Sequence, residues 1–122
     1  TLASAVRSAG KGGIIQSVVI TSKSAQTTST DVIFFNANPT NSTFTDKTAL
    51  AVNTADLGKV IGTAHVTDWT SFGTPSSGQA QNLAFPFQPA SGTTIYAVAV
   101  TRGTPTFAST SDISVMANII QD

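Results

Sequence analysis

The sequence predicts an all-β protein: an antiparallel β-sandwich, jelly-roll-like, with at most one short helical turn. Apolar and polar residues alternate with a period of two in short runs, whereas a helical period is not sustained for more than about two turns. Gly, Pro, Asn and Ser separate these runs about every 8 to 15 residues, with no strand–helix–strand unit between them. Threonine and serine, with 20 and 14 residues, suit strands that are joined by many turns.

The first strand is predicted over residues 14–21, directly after a segment that contains three glycines and is expected to form a loop or a bulge. Strict alternation divides its side chains between two faces. One face carries Ile15, Val19 and Thr21, and the other carries Ile14, Val18 and Ile20.

A second strand is predicted over residues 31–35. Its last four residues are all apolar, so we expect a central strand that is covered on both sides. The polar stretch 22–30 before it is interpreted as a long turn. The stretch 36–45 after it contains Asn-Pro and Asn-Ser pairs and is interpreted as a surface loop.

The one credible helical segment is a single turn that begins at Asn53 or Thr54 as the N-cap and ends at Gly58. Alternation resumes over residues 59–67, which predicts another strand. The Gly-, Pro- and Ser-containing stretch 71–78 is interpreted as a loop.

Three further strands are predicted in the last third of the chain. Leu83, Phe85 and Phe87 alternate, and the proline between the two phenylalanines marks an edge strand or a strand end. Residues 95–101 and 113–120 form the last two strands. Six phenylalanines are assigned to the core: Phe34, Phe35, Phe44, Phe85, Phe87 and Phe107.

The chain of 122 residues is expected to form a single sandwich domain over 14–122, with 1–13 as an N-terminal arm or partial strand. A domain of this size buries roughly two thirds of its unfolded surface. Because the sequence begins with Thr1 rather than Met, two interpretations stay open: the chain is processed, or it lacks an N-terminal segment.

Composition argues against several classes of function. Six Lys and Arg residues balance six Asp residues and form no patch in the sequence, so neither nucleic acid nor a membrane surface is expected as a partner. Apolar runs are of strand length, too short to span a bilayer. With no Cys, no Glu and one His, no metal or other cofactor is expected.

Catalysis is also not expected. His65 could in principle form a triad with a serine and Asp68, but no serine lies in a nucleophile-elbow context. We therefore interpret His65 as a solvent-facing or interface residue. The Asp residues lie at strand starts, caps or loops, where carboxylates commonly accept backbone hydrogen bonds.

The segment 67–72 is the one for which the sequence suggests a specific binding role. Trp69 could stack on a sugar ring or enter a partner's pocket, since aromatic side chains carry much interface energy. Alternatively, Trp69 and Phe72 cap the open end of the sandwich core.

Five segments resemble a family of small tailed-bacteriophage capsid decoration, or cement, proteins, which are head virion proteins. The segments are ASGTTIYAV at 90–98, TRGTP at 101–105, IIQD at 119–122, GIIQSV at 13–18 and FFNANP at 34–39. They occur in the family's order of strand, loop, short acidic helix, aromatic edge strand, SGT-x-Ile/Leu-Tyr hairpin and final strand. Members of the family usually begin with a further N-terminal segment.

The resemblance implies a structural protein that binds the major capsid protein lattice on the outer surface of a phage head, as a homotrimer at or near three-fold positions. It implies that the protein is made in the host cytoplasm and stabilises the assembled shell. It carries over no catalytic residue. The candidate partner contacts are Trp69, Phe72, Arg102, Arg7 and Lys11.

Two alternatives stay open. The first is a carbohydrate- or receptor-binding β-sandwich module of a phage tail or of a lectin-like protein, which would use Trp69. The second is a pilus-like or other shell subunit.

Overall fold

The computed structural model describes residues 1–122 and shows two antiparallel β-sheets packed into a sandwich. The prediction of an all-β, antiparallel sandwich with at most one short helical turn is therefore confirmed. The strands are β1 Gly13–Ser22, β2 Thr30–Phe35, β3 Val60–Val66, β4 Asp68–Ser71, β5 Ser76–Ala80, β6 Phe85–Phe87, β7 Tyr96–Thr101 and β8 Ile113–Gln121.

Sheet 1 is built around β1, which is paired along both of its edges. β8 pairs with β1 over its whole length. On the other edge, β5 pairs with Val18–Ser22 and β6 with Gly13–Ile15, so β5 and β6 follow one another along the same edge. Between them, the Leu83 amide donates a 3.0 Å hydrogen bond to the Gln16 carbonyl. β4 pairs with β5 and completes the sheet.

Sheet 2 has the order β3-β2-β7, and its central strand β2 is buried at every position. Val32 and Phe34 face sheet 1 and belong to the hydrophobic core. Phe35 is fully buried on the other side, where its ring lies 6.2 Å from that of Phe44 in the loop between β2 and β3. The prediction of a central strand covered on both sides is confirmed.

The core lies between the sheets and is closed at one end by the N-terminal segment. Ala5 and Val6 are buried in it. Leu2 forms an isolated bridge with Ile95, in which the Leu2 amide donates to the Ile95 carbonyl at 2.8 Å. This end is the one where β1 begins.

The alternation predicted for the first strand is wrong in its first half, because β1 contains a bulge. The pairing with β8 shifts register between Ile15 and Ser17. As a result, Ile15 lies in the core together with Val18 and Ile20, and Ile14 points to solvent. An extra residue in one strand moves every side chain beyond it to the opposite face.

Two other predictions need correction. The stretch 71–78 is not one loop, because β4 and β5 form a hairpin there whose turn is closed by a hydrogen bond from the Phe72 amide to the Pro75 carbonyl. Phe44 and Phe107 are each 38% exposed and lie outside the core cluster. The phenylalanine pattern could not distinguish the core from the loops that cover it.

The helical turn is a 3₁₀ helix, Thr54–Lys59, with Asn53 as its N-cap. It ends one residue later than predicted. Its Asp56 side chain is fully buried and accepts hydrogen bonds from the Asn41 amide, the Ser42 hydroxyl and the Lys59 ammonium at 3.0, 2.6 and 2.7 Å. This carboxylate ties together both ends of the loop that covers β2.

Burial raises the pKa of Asp56, but the hydrogen bonds from Lys59, Ser42 and Asn41 outweigh it and lower the pKa to about 2. The folded state therefore holds its proton less tightly than the unfolded chain, in which the pKa is near 3.8. Asp56 stabilises the fold fully above about pH 4, and this contribution is lost as the pH falls towards 2.

We predict that Asp56→Asn lowers the free energy of unfolding at pH 7 and flattens its decline between about pH 4 and pH 2. An amide cannot form the ion pair with Lys59, and it does not titrate. Urea unfolding at several pH values measures both effects.

Asp46→Asn is the matched control, since Asp46 is exposed in the same loop. The role of Asp56 would be contradicted if Asp46→Asn lowered the free energy of unfolding as much and flattened its pH dependence to the same extent.

Candidate functional site

The outer face of sheet 1 is open to solvent and carries an apolar stripe. Ile14 on β1 is paired directly with Ile120 on β8, and the two side chains are 38% and 58% exposed. Met116 is 60% exposed and lies opposite Val19 further along the same two strands. Between these two apolar pairs, the Asn118 side chain donates a 2.8 Å hydrogen bond to the Ser17 hydroxyl. The bulge in β1 is what brings Ile14 to this face.

This face is almost free of charge. None of the strands β1, β5, β6 and β8 contains a charged residue. The one charge on sheet 1 is Asp68 on β4, which accepts a 3.1 Å hydrogen bond from the Gln79 side chain. A partner that docks here displaces water from apolar and neutral groups, at a much smaller desolvation cost than charged groups impose.

A second candidate surface is a cleft of about 290 Å³ at the end of the sandwich where β1 finishes. Trp69 of β4, Phe107 and Pro105 supply its aromatic and apolar lining. The polar lining consists of hydroxyl and amide side chains and one carboxylate: Gln26, Thr28, Thr30, Thr101, Ser109, Thr110 and Asp46. The combination of an aromatic surface with hydrogen-bonding groups suits a ligand with both apolar and hydroxylated faces.

Trp69 is held in this cleft by a glycine. It pairs with Gly78 on β5, and a Cβ atom at that position would lie 2.7 Å from the indole Cδ2 and Cε2 atoms. The indole Nε1 is buried and has no hydrogen-bond partner within the chain. A buried N–H group without a partner is unusual in a folded protein.

Asp112 fixes one wall of the cleft. Its buried carboxylate accepts hydrogen bonds from the Ser24 hydroxyl at 2.6 Å and from the Ala108 amide at 3.2 Å. The bond from Ser24 is the main reason why the pKa of Asp112 is lowered, and it outweighs the opposing effect of burial. The carboxylate thereby joins the segment before β8 to the turn after β1.

Asp31, His65 and Arg102 form a charged cluster where β2 begins. The Asp31 Oδ1 atom lies 2.7 Å from His65 Nδ1, and Oδ2 accepts a 2.6 Å hydrogen bond from Arg102 Nε. Burial raises the pKa of Asp31, but the bonds to His65 and Arg102 outweigh it and hold the pKa below its ordinary value.

The pairing of His65 with Asp68, which was considered for a catalytic triad, is wrong, since Asp31 is the carboxylate that His65 contacts. Asp31 lies directly opposite His65 in the β2–β3 ladder. The hydrogen bonds of the serine hydroxyls go to other groups than His65. The His65 side chain is 69% exposed, as a solvent-facing residue should be.

The five predicted contact residues lie at two opposite ends of the sandwich. Trp69 and Phe72 lie on the β4–β5 hairpin at the end where β1 finishes, and Arg102 follows β7 at the same end. Arg7 and Lys11 are exposed in the N-terminal segment at the other end. The predicted residues therefore do not form one surface.

The apolar stripe Ile14, Met116 and Ile120 was missed in the sequence. Apolar residues at successive positions of β1 and β8 also describe a strand buried on both sides. The available signal was the absence of charge from both strands.

None of the helical segments has the length and apolar character that crossing a membrane demands. The chain contains no group of three or more acidic, His or Cys side chains placed to hold a metal ion. Comparisons with protein-family models, curated proteins and solved structures find no match to this chain.

We predict that Gly78→Ala destabilises the protein by about 1–3 kcal/mol, the usual cost of forcing an extra carbon into a packed site. The new methyl group must displace the Trp69 ring, so the tryptophan emission should also shift. Trp69 is the only tryptophan in the chain, which makes the emission specific.

Gly58→Ala is the control, because a Cβ atom there meets nothing within 4 Å. Equal stabilities and emission spectra for the two variants would show that Gly78 does not set the position of Trp69.

Proposed function

We propose that this protein is a structural virion component, a decoration or cement protein that binds the outer surface of a phage capsid and stabilises the assembled shell. The observation that supports it best is the outer face of sheet 1, which has Asp68 as its single charge and carries the apolar stripe of Ile14, Met116 and Ile120. The resemblance of the sequence to the decoration family supports the same function. The proposal includes no catalytic role.

The stripe can supply the binding energy of a modest contact. Burying an exposed aliphatic side chain contributes up to about 1.5–3 kcal/mol when burial is complete. The three side chains are only partly exposed, so each gives a fraction of that amount. Weak contacts of this kind hold well on a lattice, because one attachment raises the effective concentration for the next.

Stabilisation of the shell then follows from linkage. A protein that binds neighbouring subunits of the assembled lattice, and not the free subunits, lowers the free energy of the assembled state alone. Each bound copy shifts the assembly equilibrium by an amount set by its affinity and concentration. A rigid sandwich suits this role, since little conformational entropy is lost when it binds.

The neutral character of the contact has a consequence for its salt dependence. Ion pairs on a surface weaken as the ionic strength rises, because salt screens them over about 8 Å at physiological concentration. A contact made by Ile14 and its apolar neighbours contains no ion pair, so salt does not weaken it by screening. Binding to the shell is therefore expected to persist in high salt.

We predict that Ile14→Lys weakens binding to purified phage heads at least ten-fold, equivalent to about 1.4 kcal/mol. The lysine places a charge directly beside Ile120 in the stripe, and that charge must be desolvated on docking. Heads that were purified without the protein are mixed with it at increasing concentrations, and the amount of protein that sediments with them is measured.

Val60→Lys is the matched control, because Val60 is also 38% exposed but lies on β3 of the other sheet. The proposal fails if heads bind none of the unmodified protein, or if both variants bind as the unmodified protein does. Heads that carry the protein should also survive heating to a higher temperature than heads without it.

The second candidate function is binding of a carbohydrate or a receptor glycan in the Trp69 cleft. The specific observation in its favour is the position of Trp69, which lines a cleft together with hydroxyl and amide side chains. Sugars present apolar ring faces to aromatic side chains and hydroxyl groups to neutral donors and acceptors.

For this second candidate we predict that a glycan array identifies a ligand whose affinity falls at least ten-fold in Trp69→Ala. Trp69→Phe should lose part of the affinity, since it keeps an aromatic surface and removes the N–H donor. Phe72→Ala is the control, as Phe72 is 63% exposed and does not line the cleft. Absence of any ligand, or equal binding by all variants, would remove this function.

A further inference from the structure

We propose that the free edge of β8 pairs, antiparallel, with β8 of a second copy of this chain, so that two sandwiches share one continuous sheet 1. This contact is separate from the proposed contact between the outer face of sheet 1 and the capsid. It forms between two copies of the protein when no capsid is present.

The free edge of β8 is long and has unpaired backbone groups. β8 spans Ile113–Gln121, and its one partner strand is β1. Outside the strand ladders, the backbone hydrogen bonds of the chain leave the other edge of β8 without a partner. Such an edge presents N–H and C=O groups in the pattern that another extended strand requires.

The other strands at the borders of the two sheets are shorter or carry features that hinder pairing. β4 has four residues and includes Asp68. β6 has three residues, and its Pro86 lacks an N–H group. β3 carries His65, which belongs to the charged cluster with Asp31. β7, the other border strand of sheet 2, has neither a charge nor a proline, but at six residues it is shorter than β8. β8 has none of these features, since it is nine residues long with no charge and no proline.

The inner side of β8 is also incompletely covered. Val115, Ala117 and Ile119 pack against the core but remain only half-buried. Two residues of the neighbouring β7 edge, Ala99 and Thr101, are exposed. The sandwich is therefore open along the side where β8 and β7 form the borders, and a strand added to β8 would cover this side.

The geometry of the sheet limits the register of such a pair. Residues directly opposite one another in an antiparallel pair point to the same face, so an inward residue must meet an inward residue. Full overlap of the two strands places Ala117 opposite its own copy on the two-fold axis. Val115 then meets Ile119 on the inner side, and Met116 meets Asn118 on the outer side.

These pairings explain why the occupant is a second copy. The strand is self-complementary: apolar side chains meet on the inner side, and neutral side chains meet on the outer side. No like charges are brought together, and the formal net charge of the whole chain is zero at pH 7. An isologous pair of this type uses the same surface on both copies.

The pair also places both outer faces on the same side of the joined sheet. The stripe of one copy would continue into the stripe of the other across the two-fold axis. A two-fold pair is a different assembly from the trimer that the family resemblance implies. The native mass separates the two directly.

The test is the mass of the purified protein in solution, by sedimentation equilibrium over a range of concentrations. The unmodified chain should form dimers, and Met116→Lys/Asn118→Lys should raise the dissociation constant at least ten-fold, because it places lysines opposite one another across the pair. Thr67→Lys/Thr70→Lys adds the same charge near the β4 edge and should dimerise normally. Circular dichroism shows whether each variant is folded.

A second variant tests the register without adding charge. The chain has no cysteine, so Ala117→Cys introduces a single thiol on the proposed two-fold axis. Opposed residues of an antiparallel pair lie within the distance that a disulfide spans. The oxidised Ala117→Cys protein should become a covalent dimer, and Thr70→Cys should not.

A monomer at all concentrations would overturn the proposal, as would a trimer, or a dimer that the β8 lysines leave intact. None of these outcomes depends on phage heads. A dimer that fails to bind heads would therefore remove the proposed function and leave this contact standing.

Discussion

β1 is the strand on which the rest of the structure depends, because three of the other four strands of sheet 1, β5, β6 and β8, pair directly with it. Its inward residues Ile15, Val18 and Ile20 are almost completely buried. The bulge between Ile15 and Ser17 sets which side chains face the core and which face solvent. Without it, strict alternation would turn Ile15 or Val18 out of the core, at a cost of about 1.5–3 kcal/mol for each exposed aliphatic side chain.

The same bulge makes the two faces of the molecule different. The outer face of sheet 2 is covered by the loop between β2 and β3, which Asp56 ties together from within. The outer face of sheet 1 has no such cover, and the bulge leaves Ile14 there beside Ile120. The apolar side chains on this uncovered face are the basis of the proposed contact with a capsid surface.

The sequence was most informative where strands are continuous and apolar. β2, β7 and β8 were predicted close to their observed bounds, because runs such as Val32–Phe35 have few alternatives to a strand. β4 and β5 were missed, since Ser76, Gly78 and their neighbours have the composition of a loop. Gly78 is in a strand because the Trp69 ring occupies the space of its missing side chain. A contact between two strands cannot be recognised from the local sequence of either strand.

The candidate surfaces were harder to predict for the same reason. Arg102 was selected as a cation free to contact a partner, but its guanidinium is hydrogen-bonded to Asp31, 71 positions away in the sequence. A cation already engaged by a partly buried carboxylate offers little further attraction to a partner. The charge of Arg102 is thus largely engaged within the chain. The surfaces that remain for association carry few charges: the stripe around Ile14, the edge of β8 and the Trp69 cleft. Association through such surfaces depends on apolar area and on backbone hydrogen bonds, so its specificity must come from shape and strand register rather than from charge.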